Sequence, residues 1–186
     1  MPHALFPTEI GLCGVVWNDV GLVGVLLPEG GRDESLARIA KRFSGSSEAV
    51  PVGEAARAIT NIQKLMVDGD TDLTDIALDV TRLSPALTRI YAATRAVPPG
   101  STLTYGQIAK QVGVDARSVG QAMGRNPWPI VVPCHRVMGT GGKLVGFSAH
   151  GGVNTKLALL AIEKANIGDG PGLFDTLGGL PIGVRP

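Results

Sequence analysis

Cysteine is scarce in this chain. Its 186 residues include only Cys13 and Cys134, far apart, which excludes the multi-bridge framework of a small secreted scaffold and suits a reducing cytosol. Two thiols and three scattered histidines also fall short of a structural zinc site, which ordinarily takes four nitrogen or sulfur ligands. Long apolar runs are missing as well, since no stretch reaches the roughly 18 residues needed to span a bilayer. The opening residues Met1 to Pro7 lack the basic start and apolar core of a signal peptide. With 44% hydrophobic and 18% charged residues, the chain is expected to be soluble and cytoplasmic, with a real core in one large domain or two small ones. No metal, cofactor or membrane partner is expected.

The net charge of +1 hides a polarity. Residues 101 to 165 hold seven basic side chains (Lys110, Arg117, Arg125, Arg136, Lys143, Lys156 and Lys164) against Asp115 and Glu163, whereas residues 1 to 100 hold nine basic and twelve acidic ones. Positive charge gathered in one segment points to an anionic partner, although a solvated basic face gives the same count.

In the N-terminal part, the apolar runs Ile10–Trp17 and Leu22–Leu27 flank the turn signal Asn18-Asp19 and predict a β-hairpin, with Cys13 a packed strand residue. Helical spacing follows at Leu36, Ile39, Ala40 and Phe43, and again at Ile59, Ile62, Leu65 and Met66. Ala77–Val80 reads as a short returning strand. Nothing up to about Thr81 resembles a catalytic constellation, so residues 1–81 read as a supporting α/β domain.

Helix signals then crowd together. Ser84-Pro85 places serine at an N-cap and proline at the first helical position. Thr104-Tyr105-Gly106-Gln107 is a capping box, opening a short helix that ends at Gly113. Asp115 caps a further helix, 116 to 123, stopped by Asn126-Pro127. Helix, tight turn, helix is a DNA-binding arrangement whose second helix enters a groove. Ala116, Ser118, Gly120 and Gln121 give that helix a small or polar face suited to close approach. Arg117 is its long cation, readable also as an ordinary surface arginine. The expected class is therefore α/β (α+β): an N-terminal domain with a hairpin-based sheet, a mainly helical, winged-helix-like domain over 82–167, and a Gly/Pro-rich tail over 168–186.

Pro133-Cys134-His135-Arg136-Val137 follows the apolar run Pro129–Val132, expected to be extended. A thiol is nucleophilic only as thiolate, and His135 can take its proton directly or through a water. A bare Cys-His pair equally describes a buried small hydrophobe beside a satisfied neighbour. Further on, Met138 to Gly152 is glycine-rich but has no Gly-Lys-Ser/Thr ending, so it reads as a lip over a pocket and not as a nucleotide loop. The helix read from Lys156 to Ala165 is apolar almost all round. Glu163 within it needs a partner, for which His135 is available.

Asn126-Pro127, the apolar linker and Pro133-Cys134-His135-Arg136-Val137 together resemble the signature of the O6-alkylguanine-DNA alkyltransferases, over roughly residues 82 to 165. The resemblance implies that Cys134 accepts an alkyl group, with His135 and Glu163 activating it and the thiolate held through a water. It implies that Arg117 enters the base stack, Tyr105 helps rotate the nucleotide and bonds the flipped guanine, and Asn126 joins the recognition helix to the active-site segment. The Val137 carbonyl would read the guanine amino group and the Ser148 N–H would reach O6, with Phe147 and Met123 beside the base. Ser118, Gly120, Thr104 and Arg125 would join Arg117 on DNA. The lip departs from the family pattern, with Phe147 where many members have tyrosine and Ala149-His150 inserted before Gly151. The implied function is irreversible, single-turnover repair of O6-alkylguanine, and of O4-alkylthymine, in double-stranded DNA by a monomer. A cysteine hydrolase and a DNA module that binds alkylated bases without repairing them are the alternatives.

Overall fold

A computed structural model describes residues 1–144 and 152–165. The chain opens with strands β1 (Pro2–Thr8), β2 (Gly11–Trp17) and β3 (Leu22–Leu26), followed by helix α1 (Arg32–Arg42), the two-residue strand β4 (Ser47–Glu48) and helix α2 (Gly53–Asp68). The predicted hairpin is present as β2 and β3, antiparallel, and Asn18 closes its turn by accepting from the Val20 and Gly21 N–H groups. The sheet order is β3-β2-β1-β4, so β1, which the sequence reading does not assign, is an interior strand. Its alternation explains the position: Ala4 and Phe6 face the main core, while Leu5 packs with Val16, Leu26, Ile39 and Phe43 beneath α1. Ala77–Val80 is not a strand. A single parallel bridge joins Leu22 to Leu78, and the chain leaves at once because Asp79 is drawn to the Asn18 amide at 2.7 Å and folds back to cap Thr81.

The second part contains α3 (Pro85–Arg95), β5 (Leu103–Thr104), α4 (Tyr105–Val112), α5 (Ala116–Gly124), β6 (Val137–Met138) and α6 (Val153–Ile162). The predicted caps form. Ser84 accepts from Leu87 N–H, Thr104 and Gln107 close a reciprocal box, and Asp115 accepts from Ser118 N–H. Gly113 ends α4 in the left-handed region, at φ 73°, which turns the chain into α5 in a backbone conformation that residues with a side chain rarely adopt. Parallel pairing of β5 with β6 ties the start of α4 to the residues just after Cys134.

Two further expectations are corrected. Pro129–Val132 is a turn: the Val132 N–H donates to Trp128 O at 2.7 Å, and Ile130 takes φ 77°. Asn126 enforces it, its side chain accepting from Trp128 N–H at 3.0 Å and donating to Val132 O at 2.7 Å. The last helix runs from Val153 to Ile162, placing Glu163 at its C-cap. Lys164 follows at φ 51°, and the Lys164 and Ala165 N–H groups return to Ala161 O and Leu160 O. That paired closure is a Schellman turn, with lysine where glycine is usual.

One apolar cluster joins Val15, Trp17, Val25, Ile62 and Leu65 to Tyr91, Ile108, Val119, Trp128 and Leu159. Polar bonds cross the same seam: the Trp128 indole N–H donates to Leu22 O at 2.7 Å, and Val25 N–H to Pro127 O at 2.8 Å.

Candidate active site and nucleic-acid face

The Asn126 loop delivers the chain to Pro133, whose φ of −79° leads into a single 3₁₀ turn, Cys134–Arg136. Cys134 is 8% exposed and His135 is fully buried. Glu163, carried to the same place by the Schellman turn of α6, accepts from His135 Nε2 at 2.9 Å. Sequence reasoning anticipates that pairing but misses its other half. Arg136 reaches the same carboxylate with Nε at 2.9 Å and Nη2 at 2.7 Å, and its Nη1 donates to Val97 O at 2.5 Å. The fork geometry of a guanidinium makes this two-point grip possible.

Charge states follow from these contacts. Burial alone would raise the Glu163 carboxyl, but the bonds from His135 and Arg136 outweigh it and hold the group at about 2. The carboxylate is therefore ionised and acts as acceptor, so His135 Nε2 carries the proton. Nδ1 is then the lone-pair nitrogen, and it meets no protein partner among the described residues. Burial lowers the His135 imidazole against the pull of Glu163, leaving it a neutral base.

Burial pushes the Cys134 thiol up, opposed by the Asn126 amide, by the positive charge of Lys156 and by the N–H groups of Cys134 and His135. The resemblance implies a thiolate at Cys134, and burial works against that form. The site contains the parts to generate a thiolate on demand: a neutral imidazole base, a fixed carboxylate and a nearby ammonium.

Lys156 is a second residue missed in the sequence. It is fully buried in α6, and its Nζ donates to Val137 O at 2.6 Å. The signal for both residues is faint, since a long cation in a mixed segment reads as surface by default. Their burial also revises the charge count: of the seven basic side chains, Arg136 and Lys156 are internal, while Lys110, Arg117, Arg125, Lys143 and Lys164 remain exposed.

The remaining predicted residues divide by place. Tyr105 begins α4, half-buried, and the nearness of Cys134 adds to burial in keeping its hydroxyl protonated. Gly120 of α5 faces it, and a Cβ there would lie 4.0 Å from the Tyr105 ring. Val137 is buried, and so is Met123, whose sulfur takes a contact from the Thr94 hydroxyl at 3.9 Å. Arg117 and Arg125 are exposed at opposite ends of α5. The Thr104 and Ser118 hydroxyls are engaged in caps, with Gln107 and Asp115 respectively. Phe147 and Ser148, like the tail 168–186, lie outside the described residues.

Tyr91 supports the assembly from α3. Its hydroxyl donates to Ala122 O at 3.0 Å, and its ring meets Trp128 edge-on, with centroids 5.9 Å apart. Helix α5, the Asn126 loop and the thiol are thus mounted on one rigid support. Exposed cations stand at both ends of α5, and the Asn126 loop leads from it to the buried thiol and the His135–Glu163 pair.

Comparison with known proteins agrees with that reading. Residues 85–165 match the family model described as 6-O-methylguanine DNA methyltransferase, DNA binding domain. A methylated-DNA–protein-cysteine methyltransferase of Methanothermobacter thermautotrophicus is 33% identical over 155 residues, 83% of this chain and 80% of that protein. A protein of Thermus thermophilus named DNA base-flipping protein is 34% identical over 165 residues, 86% of this chain and 97% of its own length. Among solved structures, the Mycobacterium tuberculosis OGT in complex with DNA superposes with TM-score 0.69 at 30% identity, covering 88% of this chain and 93% of that one. Relatives matched over most of their length and a shared two-part architecture make this chain a member of the methylated-DNA–protein-cysteine methyltransferase family.

Proposed function

We propose that this protein repairs O6-alkylguanine, and O4-alkylthymine, in double-stranded DNA by turning the damaged base out of the stack and moving the alkyl group irreversibly to Cys134. The observation that carries the reading is His135 Nε2 bonded to Glu163 at 2.9 Å, which leaves Nδ1 as a base in the residue next to the only cysteine of the helix-turn-helix segment. The target carbon cannot be reached within a duplex, so the nucleotide must be everted, at a cost of a few kcal/mol that a weakened lesion pair reduces.

Lys110 and Arg125 meet phosphates, and α5 lies in the groove with Arg117 inserted into the space the nucleotide leaves. Tyr105, protonated, bonds the everted base. The Val137 carbonyl accepts its amino group, for which the second oxygen lone pair remains beside the bond from Lys156. Arrival of the base brings the alkyl carbon to sulfur. The thiol proton passes to His135 Nδ1, directly or through a water, and Glu163 stabilises the resulting imidazolium. Sulfur forms a bond to the alkyl carbon as the carbon–O6 bond breaks, and the guanine anion left behind takes up a proton. The product is a thioether that no group of the site can reverse, so each molecule acts once, as a monomer in the cytoplasm.

The test is intact mass after incubation with duplex DNA containing O6-methylguanine. One methylene mass should be gained on the Cys134 peptide, at one equivalent per protein, and Cys134→Ser should gain none. The Thermus relative, a DNA base-flipping protein by name, favours a second reading, base flipping without transfer. Tight binding of the lesion with no change in mass would establish it. Repeated turnover on an ester or peptide would instead indicate a cysteine hydrolase.

A further inference from the structure

Glu163 is the carboxylate on which the proposed chemistry turns, yet its backbone is held by residues outside the site. Gly69 is the C-cap of α2, buried, at φ 71°. A Cβ placed there would lie 2.1 Å from Ile162 O and 3.2 Å from Glu163 Cα. Gly100, at φ 74° in the connection between α3 and β5, faces the same residue from the other part of the chain, where a Cβ would lie 3.1 Å from Glu163 O. Both positions need glycine twice over, for the left-handed backbone and for the close approach. The contacts around them are firm. Gly69 N–H donates to Leu65 O at 2.8 Å, and Asp68 fixes the next turn by accepting from the Asp70 and Thr71 N–H groups.

We infer that Gly69 and Gly100 are positioning residues for alkyl transfer: the two backbones close on Glu163 from opposite parts of the chain and set the carboxylate that orients His135, which makes the end of α2 part of the reaction machinery. The inference rests on the reading of His135 as the base given above. Relieving a Cβ···O approach of 2.1 Å at Gly69, against the 3.0 Å that such contacts need, would push the two backbones apart by about 1 Å. Hydrogen bonds weaken steeply over such a distance, and the bonds to the Glu163 carboxylate start at only 2.7 to 2.9 Å. A misplacement of this size in a positioned catalytic array typically costs up to about a hundredfold in rate.

The control is built into the fold. Gly45 has φ 75° with nothing within 4 Å of a Cβ, so Gly45→Ala carries the same backbone strain without the collision. Single-turnover transfer from O6-methylguanine duplex DNA should be followed from pH 5.5 to 9 for the native protein, Gly69→Ala, Gly100→Ala, Gly45→Ala, Glu163→Gln and the double variant Gly69→Ala/Glu163→Gln, with folding checked by circular dichroism. Gly69→Ala should be about 10- to 100-fold slower with a pH–rate profile altered as in Glu163→Gln. Gly100→Ala should change in the same direction by less, and Gly45→Ala should stay within about twofold. In the Glu163→Gln background, Gly69→Ala should add little, the signature of residues acting through one group.

A folded Gly69→Ala or Gly100→Ala with native rate and profile overturns the inference. So does equal slowing by Gly69→Ala with and without the carboxylate. If Gly69→Ala does not fold, Gly100→Ala decides by the same criteria. A native rate in Glu163→Gln would bring down the His135 reading, and the inference with it. That result is distinguishable from failure of the glycine contacts alone, where Glu163→Gln is slow and the glycine variants are not.

Discussion

Glu163 has one charge and two partners, and that imbalance decides both stability and chemistry at the residue scale. Glu163→Gln keeps the size of the side chain but leaves the Arg136 guanidinium buried without a counter-charge, which should cost roughly 3–5 kcal/mol at pH 7. The carboxyl sits at about 2 when folded against an ordinary 4.5. Its stabilisation is therefore complete above the unfolded value and is lost as pH falls through the window between them. Urea midpoints should show the gap between native protein and variant closing from about pH 4.5 towards 2; a constant gap would refute the assignment. His135 works in the same direction at milder pH, since its folded value is depressed. The unfolded chain then binds the proton better, and native stability declines below the ordinary imidazole range. Cys134, His135 and Glu163 were legible because a nucleophile and its neighbour share one short motif and a carboxylate in an apolar helix demands a partner. Arg136 stood in the same motif without that demand, and Lys156 had none at all, because a cation's burial is decided by the carbonyl or carboxylate it meets in three dimensions.

At the scale of elements, local chemistry was read well and tertiary chemistry poorly. The Ser84, Thr104 and Asp115 caps formed as expected because a cap is a bond between near neighbours. Strand β1 escaped notice because its two prolines suggest irregular chain, yet Pro2 and Pro7 sit near its ends while Ala4, Leu5 and Phe6 feed both faces of the sheet. The turn at Pro129–Val132 depends on Asn126 reaching across six residues, which no periodicity reveals. Two predictions belong here. Arg117, exposed near the start of α5, should matter for eversion and not for thiol chemistry. Arg117→Ala should then slow repair of duplex DNA far more than reaction with free O6-benzylguanine, and equal slowing of both would remove its role in extrusion. Lys164 occupies a left-handed C′ position. Lys164→Gly should raise stability by about 1 kcal/mol in urea denaturation, since a side chain there costs roughly 1–2 kcal/mol and the lost cation at the helix end returns only a few tenths; unchanged or lower stability would argue against strain at that turn.

For the whole molecule, the sequence division at residues 81 and 82 meets a core that runs straight across it. Trp17 and Trp128 lie on opposite sides of that division but in one apolar cluster, and the Trp128 indole is bonded to Leu22 O across the seam. If the two parts share their stability, they unfold together. The two tryptophans make this measurable, because Trp17→Phe leaves fluorescence reporting on the second part and Trp128→Phe leaves it reporting on the first. In each variant the fluorescence and far-ultraviolet circular dichroism transitions in urea should coincide, as a two-state system requires. Trp128→Phe should also be the weaker protein, because Leu22 O keeps only the bond from Asp79 N–H at 2.9 Å, the lost indole bond costing about 0.5–1.5 kcal/mol. Separate transitions in either variant would mean that the N-terminal sheet folds independently. Helix α2 would then be a poor anchor for Glu163, since an anchor that loosens before the site it holds cannot keep a carboxylate within hydrogen-bonding distance of an imidazole.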